Sequence, residues 1–167
     1  MWWGMSWGGG RWWRRTWQQL YSDSLAGEDL QCQVIRFVKR KRTVNFPSSW
    51  PQGCPPENAE AASGELFRVA KTNPPSAEDF KSHEELGKKS TGPQCLRVGL
   101  SLFQTIDDAE HLTQLFPKLG RYVLRGQLQP HHGVTKLTPS NRYPTHTTWW
   151  PYEGVNRAEP FSLALSP

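Results

Sequence analysis

The 167-residue chain combines a low apolar content with a modest positive charge. Hydrophobic residues make up 36% of it, glycine and proline contribute 14 each, and the formal net charge is +5. Residues 1–64 carry eight basic against five acidic side chains, and residues 65–167 carry twelve against ten. Because neither part concentrates positive charge, the composition argues against nucleic acid as a partner. The length favours one domain with an appendage.

The N-terminal part predicts a poorly structured extension. Six of the nine tryptophans lie in residues 1–17, which read MWWGMSWGGGRWWRRTW. Three consecutive glycines each cost a helix roughly 1 kcal/mol, which argues against an amphipathic helix on a membrane surface. An arm that stacks its tryptophans on nucleic-acid bases is the alternative. Residues 33–38 resemble a short strand, and the proline-rich stretch over 45–64 is interpreted as a linker.

Cysteine usage and hydropathy bear on the cellular setting. No apolar run approaches the roughly 20 residues that a membrane-spanning helix needs, and no secretory signal is recognisable. Cys32, Cys54 and Cys95 are odd in number and form no CxxC pair. They therefore predict reduced thiols in a cytoplasmic protein, without a structural zinc site.

Local signals agree with one another only after residue 64, so residues 65–167 are predicted to form the domain. The pattern SAED at 76–79 and the pattern TIDD at 105–108 are both helix-start signals. Alternating apolar residues indicate strands between and after the two helices. The elements in chain order are a strand at 66–70, a helix at 77–86, a strand at 96–103, a helix at 106–116 and strands at 121–128, 134–137 and 160–165.

This order predicts the fold class. Two helices and several short strands in about 100 residues are typical of a small α+β domain. We expect a short mixed or antiparallel sheet with two helices. The segment around HTTWW at 146–150 is predicted to lie in a loop.

Four stretches resemble a group of small uncharacterised bacterial proteins. They are FRVAK, NPPSAEDFKSHEELGKK, GLSLFQTIDDAEHLTQLFPKLGRYV and HTTWW, and they occur in the order found in that group. The resemblance covers residues 66–167. It implies a bacterial domain but no particular activity.

A wider similarity in layout is to ADP-ribosyltransferase-like domains, including RES-type toxins that consume NAD. It consists of a strand arginine followed by a Gly-x-Ser-x-Phe strand that leads directly into a helix. The resemblance implies that Arg68 grips a phosphate or ribose, and that Ser101 and Phe103 cradle the nicotinamide half. A late catalytic glutamate is expected, for which Glu153 is the candidate and Glu159 the alternative.

Individual side chains point to the same chemistry. His146 lies among hydroxyls and beside two tryptophans, where an imidazole can act as general base or bind a ribose or phosphate. The alternative is a structural histidine. Tyr122 and Trp149 can stack on a base or nicotinamide ring, or else pack in the core. His131-His132 is interpreted as part of a turn, and no metal is expected.

Two functions follow. The first is a toxin-like enzyme that binds NAD, an ADP-ribosyltransferase or an NAD glycohydrolase, with Arg68, Ser101 and His146 around one cleft. The second is a non-catalytic module that binds a protein partner, of the kind associated with toxin–antitoxin pairs. Arg68 and His146 on opposite faces would exclude the first.

Overall fold

A computed structural model describes residues 44–89 and 92–167. Within these residues seven strands form one antiparallel sheet, in the order β1-β5-β6-β3-β2-β4-β7. The prediction of a small α+β domain with two helices is confirmed. The strands are β1 (Glu60–Ala61), β2 (Gly64–Ala70), β3 (Leu100–Phe103), β4 (Tyr122–Leu128), β5 (Gly133–Leu137), β6 (His146–Pro151) and β7 (Phe161–Leu165). The α-helices are α1 (Gln94–Val98) and α2 (Ile106–Leu115), and 3₁₀ turns span Ala77–Phe80 and Pro130–His132.

The centre of the sheet is divided between β2 and β3. These two strands are paired at a single position, Phe67 opposite Phe103. By contrast, β2 pairs with β4 along its whole length, and β3 pairs with β6 along its whole length. Beyond the Phe67–Phe103 pair the two strands diverge. We call this opening the split; it separates a half-sheet β1-β5-β6-β3 from a half-sheet β2-β4-β7.

Two apolar clusters cover the two faces of the sheet, because successive side chains of a strand point to opposite faces. The larger cluster includes the fully buried Trp149 and the Phe80 and Phe161 rings, whose centroids lie 5.1 Å apart. The smaller cluster lies under α2 and contains Phe67, Phe103, Ala109, Val123 and Tyr143.

The second predicted helix and the strand after it are found as expected. Helix α2 begins after Thr105, whose hydroxyl accepts a hydrogen bond from the Asp108 amide. Strand β4 alternates from Leu124 onward as its sequence indicates, with Leu124 and Leu128 buried and Arg125 exposed. Local sequence therefore determines this part of the fold.

The helix predicted over 77–86 is wrong: only Ala77–Phe80 is helical, as a 3₁₀ turn. An α-helix would need the carbonyls of Asp79 and Phe80 to accept bonds from amides four residues later. Arg68 instead occupies the Asp79 carbonyl, and Arg157 occupies the Phe80 carbonyl at 2.9 Å. Two arginines distant in sequence thus end the helix after one turn.

The strand predicted over 96–103 is wrong in its first half, which forms helix α1. Gly99 separates α1 from β3 and lies against β6, where a Cβ at this position would be 2.3 Å from Thr148 Cγ2. The segment 146–150, predicted as a loop, belongs to strand β6, which pairs with β5 on one side and β3 on the other. Trp149 and Trp150 are both fully buried.

The stretch over 45–64, interpreted as a linker, packs against the sheet. Glu60–Ala61 pairs with β5, and Ala62 is fully buried. Cys54 and Cys95, whose Cα atoms lie 5.5 Å apart, form a disulfide that joins this stretch to α1. The expectation of reduced thiols is therefore corrected for these two cysteines.

The expectations for residues 1–43 lie outside the described residues. They include the tryptophan-rich start, the strand at 33–38 and Cys32. In the part that is described, neither α-helix has the length and apolar character that crossing a bilayer requires.

Candidate functional site

A cavity of about 640 Å³ opens at the split. Its walls come from several elements: β2 supplies Arg68, β3 supplies Ser101 and Phe103, β6 supplies His146, and α2 supplies Leu112. Cavities of this size accommodate drug-sized ligands. The interruption of the sheet between β2 and β3 makes room for it.

Four of the seven residues named from sequence lie at this cavity: Arg68, Ser101, Phe103 and His146. They come from three strands and lie far apart in sequence. Arg68 and His146 therefore border the same space rather than opposite faces. This arrangement is the one that the enzyme hypothesis requires.

The other three named residues do not line the cavity. Trp149 is fully buried in the larger core cluster, and its Nε1 donates to the His132 carbonyl at 3.2 Å. Its indole is therefore inaccessible to a ligand, which corrects its assignment to the binding site. Tyr122 is half-buried and packs against the same core cluster. Glu153 is exposed in the turn after β6.

Arg68 bridges the split. Its Nε donates to the Asp79 carbonyl and its Nη1 to the Ser101 carbonyl, both at 2.8 Å, and Nη2 also donates to the Asp79 carbonyl. The guanidinium lies over the Phe80 ring, 5.4 Å from its centroid. Burial lowers the pKa of Arg68 to about 10, so the group stays protonated at neutral pH.

The charge of Arg68 is not neutralised by an ion pair within the described residues. All three of its hydrogen bonds go to neutral carbonyls, and a guanidinium has more N–H groups than these bonds use. Arg68 is thus a structural bridge that retains both positive charge and donor capacity at the cavity wall.

Asp79 holds the 3₁₀ turn in place. Its carboxylate accepts from the Lys71 amide at 2.7 Å, the Thr72 hydroxyl at 2.6 Å, and the amide and hydroxyl of Ser76, both at 2.9 Å. Burial opposes ionisation, but these hydrogen bonds outweigh it and lower the pKa of Asp79. The helix-start signal SAED at 76–79 therefore corresponds to a capping box in the structure, although no α-helix follows it.

The lowered pKa of Asp79 gives stability that depends on pH. Because the carboxyl has a lower pKa when folded than when unfolded, its contribution is complete above the unfolded value of about 3.9 and is lost as pH falls through the folded value. We expect Asp79→Asn to lower the free energy of unfolding at pH 7 by about 1 to 3 kcal/mol. The deficit relative to wild type should shrink as pH falls below about 4.

Urea unfolding at a series of pH values from 7 down to about 3 measures this deficit. Asp107→Asn is the matched control, because Asp107 is exposed on α2 and its carboxylate has no hydrogen bond to any described residue. A deficit for Asp79→Asn that stays constant across the pH series would contradict the assignment.

Cationic side chains surround the mouth of the cavity. Lys71, Lys81 and Lys88 line it together with Arg68. Lys81 forms an ion pair with Glu78. Lys71 and Lys88 form none with any residue the structure describes. This edge can therefore attract an anion.

Apolar side chains also line the cavity and are partly open to solvent. Leu86, Leu96 and Leu119 are 40%, 37% and 46% exposed, although leucine side chains are ordinarily buried. Val69, Phe103 and Leu112 add to this apolar lining. A ligand that uses both the cationic and the apolar lining has an anionic part and a flat or apolar part.

His146 and His83 add titratable groups. His146 Nδ1 lies 2.9 Å from the Thr138 carbonyl, and the ring meets Phe103 edge-on with centroids 5.6 Å apart. Burial lowers the pKa of His146. Burial, followed by the charges of Lys88 and Arg68, also lowers the pKa of His83. Both imidazoles are therefore largely neutral at pH 7.

Several lining residues were missed from sequence. Lys71, His83, Lys88 and Thr138 were assigned to a strand end, a helix face and loops. Of these four residues, only Thr138 carries a signal in the local sequence, because it follows a strand and precedes a proline. Lys71 directly follows β2, and the segment after the 3₁₀ turn brings His83 and Lys88 to the cavity.

No group of three or more His, Cys, Asp or Glu side chains suited to a metal ion occurs in residues 44–89 and 92–167. His131 and His132 lie in the turn before β5, where His132 Nδ1 accepts from the Gln129 amide at 3.0 Å. The chain matches no protein-family model, no curated protein and no solved structure. Its family membership thus remains a prediction from the resemblances in sequence.

Proposed function

We propose that this domain binds a phosphate-bearing nucleotide in the cavity at the split, that the nucleotide is NAD, and that the domain cleaves it as an ADP-ribosyltransferase or NAD glycohydrolase. One observation carries the proposal: Arg68, Ser101 and His146 come from three strands and border a single cavity. The layout similarity to ADP-ribosyltransferase-like domains makes NAD the ligand of choice. A toxin-like role would follow from consumption of NAD.

The cationic and the apolar lining of the cavity match the two parts of such a ligand. Phosphates are attracted by Lys71 and Lys88, which have no ion-pair partner among the described residues. A planar ring packs against Phe103 and the leucines of the apolar lining. Arg68, which has N–H groups not used by described residues, donates to a ribose hydroxyl or phosphate oxygen.

The reacting end of the ligand requires a base and a carboxylate. His146 supplies a neutral imidazole at the cavity wall. Cleavage of NAD builds positive charge on the ribose, which a carboxylate stabilises. In this proposal Glu78, which lines the cavity beside Lys81, takes that role in place of Glu153.

Binding of NAD to the full chain can be measured by titration calorimetry, with adenosine monophosphate and nicotinamide as partial ligands. We expect NAD and adenosine monophosphate to bind, and Lys71→Ala and Lys88→Ala each to weaken binding about tenfold, the loss of one charge-assisted contact. Lys136→Ala is the control, since Lys136 lines a different cavity and bonds to Asn58. Equal weakening by Lys136→Ala would argue against the site.

Nicotinamide release, measured by chromatography, then tests catalysis. Glu78→Gln is expected to lower the rate by about 100-fold or more, while Glu153→Gln leaves it unchanged. The reverse order would return the catalytic role to Glu153. Failure of the wild-type chain to bind or cleave NAD would contradict the proposal.

The alternative function, a non-catalytic protein-binding module, is favoured by one observation. Leu86, Leu96 and Leu119 leave an apolar rim exposed around the cavity mouth. A folded wild-type chain that binds no nucleotide would support this alternative.

A further inference from the structure

We infer that Nε2 of His146 is the proton acceptor at this cavity, and that Thr138 and Thr148 are positioning residues that hold the imidazole in the required form. The inference rests on the proposed function for its reaction. Its geometry can be tested without any ligand.

The state of the imidazole follows from its hydrogen bonds. Nδ1 lies 2.9 Å from the Thr138 carbonyl and 2.9 Å from the Thr138 hydroxyl. A carbonyl has no hydrogen to donate, so Nδ1 carries the proton of this contact. In a neutral imidazole the other nitrogen then has the lone pair. Nε2 of His146 is therefore the basic atom.

A chain of hydroxyls fixes the ring. The Thr138 hydroxyl lies 2.7 Å from the Thr148 hydroxyl, so it can share the single Nδ1 proton with the Thr138 carbonyl and donate its own hydrogen to Thr148. His146 and Thr148 are two residues apart on β6 and share a face of the strand. The Thr138 amide donates to the His146 carbonyl at 2.8 Å, which holds Thr138 beside both.

Nε2 is the nitrogen of His146 that a ligand can use. It has no hydrogen bond to any described residue, whereas Nδ1 contacts Thr138. The imidazole is half-buried and borders the cavity. The Phe103 ring, edge-on at 5.6 Å, limits rotation of the imidazole.

Other charged groups share this environment. Asp108 of α2 accepts hydrogen bonds from the amide and hydroxyl of Thr145, the neighbour of His146 on the chain. The titratable and charged groups that line the cavity with His146 are Arg68, Lys71, Glu78, Asp79, Lys81, His83 and Lys88. Most of them are cationic at neutral pH, which disfavours a positive charge on the imidazole.

In the proposed hydrolysis of NAD, the oxygen of a water molecule forms a bond to C1′ of the nicotinamide ribose. The bond from C1′ to the nicotinamide nitrogen breaks, and its electron pair stays on that nitrogen, which becomes neutral. One proton of the water passes to Nε2. The products are ADP-ribose, nicotinamide and an imidazolium that returns its proton to solvent.

The first test needs no ligand. Long-range ¹⁵N–¹H NMR of the histidine side chains distinguishes the two neutral tautomers, and His146→Gln identifies the relevant signals. We expect His146 at pH 7 to be neutral with its proton on Nδ1. A proton on Nε2, in either the neutral or the charged ring, overturns the inference even if NAD is cleaved.

The second test measures nicotinamide release. His146→Gln should lower kcat by about 10² to 10⁴. Thr138→Val should lower kcat by about 2- to 10-fold, the worth of one hydrogen bond, with KM unchanged. Thr138→Ser, which keeps the hydroxyl, should restore the rate, and Thr135→Val, which alters a threonine of β5 outside this cavity, should have no effect.

The results of these experiments distinguish the proposed cleavage of NAD from the role of His146 as proton acceptor. Failure of the wild-type chain to release nicotinamide overturns the proposed function, and the acceptor role with it, whereas the NMR result decides the state of the ring in either case. Release that survives His146→Gln overturns the acceptor role while leaving NAD cleavage in place. An equal loss in Thr138→Val and Thr138→Ser would remove the positioning role of the hydroxyl.

Discussion

Replacement of Arg68 by methionine is expected to lower the free energy of unfolding by about 2 to 4 kcal/mol. Methionine preserves the length and the apolar contact with Phe80 but removes every donor. The carbonyls of Asp79 and Ser101 then lose their charged partners, and each loss costs stability in a partly buried setting. The 3₁₀ turn and both edges of the split are released together.

The matched control is Arg125→Met on the neighbouring strand β4. Arg125 also lies over a phenylalanine ring, 6.0 Å from the Phe67 centroid, but it is exposed, and among the described residues it pairs only with Glu65 at 3.4 Å. Exposed contacts of this kind contribute at most about 1 kcal/mol. Urea unfolding of both variants measures the difference. Equal losses of unfolding free energy in the two variants would show that the bridge formed by Arg68 across the split adds no stability.

Replacement of Trp149 by alanine is expected to cost about 3 to 5 kcal/mol, the usual range for truncating a large aromatic side chain in a core. The indole is fully buried in the larger cluster, 6.0 Å from the Phe161 ring centroid. Its loss also leaves the His132 carbonyl without its donor. A domain of this size has little more stability than this to lose.

Trp50→Ala removes the same side chain from the periphery. Trp50 is half-buried and stacks on Phe46, with ring centroids 5.6 Å apart. We expect a loss of about 1 kcal/mol, because one stacked contact is removed and no core cavity forms. Thermal or urea unfolding distinguishes the two variants. A similar loss from both would mean that Trp149 is not a core residue.

The sequence predicted the elements whose causes are local. The TIDD signal specifies the start of α2 through the Thr105 hydroxyl, and alternation along β4 specifies its buried face. The helix over 77–86 failed because its carbonyls are occupied by arginines 11 and 77 residues away. A local sequence pattern carries no information about partners this far away along the chain.

The site was partly predictable for a related reason. Arg68, Ser101 and His146 carry unusual chemistry for their strands and stand out individually. Trp149 stands out equally, yet an indole has the same appearance in sequence whether it stacks on a ligand or fills a core. The β-branched threonines before it were the signal that 146–150 forms a strand. Lys71 and Lys88 are ordinary surface residues until the chain folds them towards one opening.

The single pair between Phe67 and Phe103 has a consequence for recognition. Where β2 and β3 diverge, the main-chain groups along their facing edges lack a strand partner among the described residues. The N–H and C=O of one extended residue point the same way, so the Ser101 amide faces Arg68 as its carbonyl does. A carboxamide, such as that of nicotinamide, has the donor and acceptor of a peptide group. In the proposed complex with NAD, we expect the carboxamide to pair with such an edge as a neighbouring strand would.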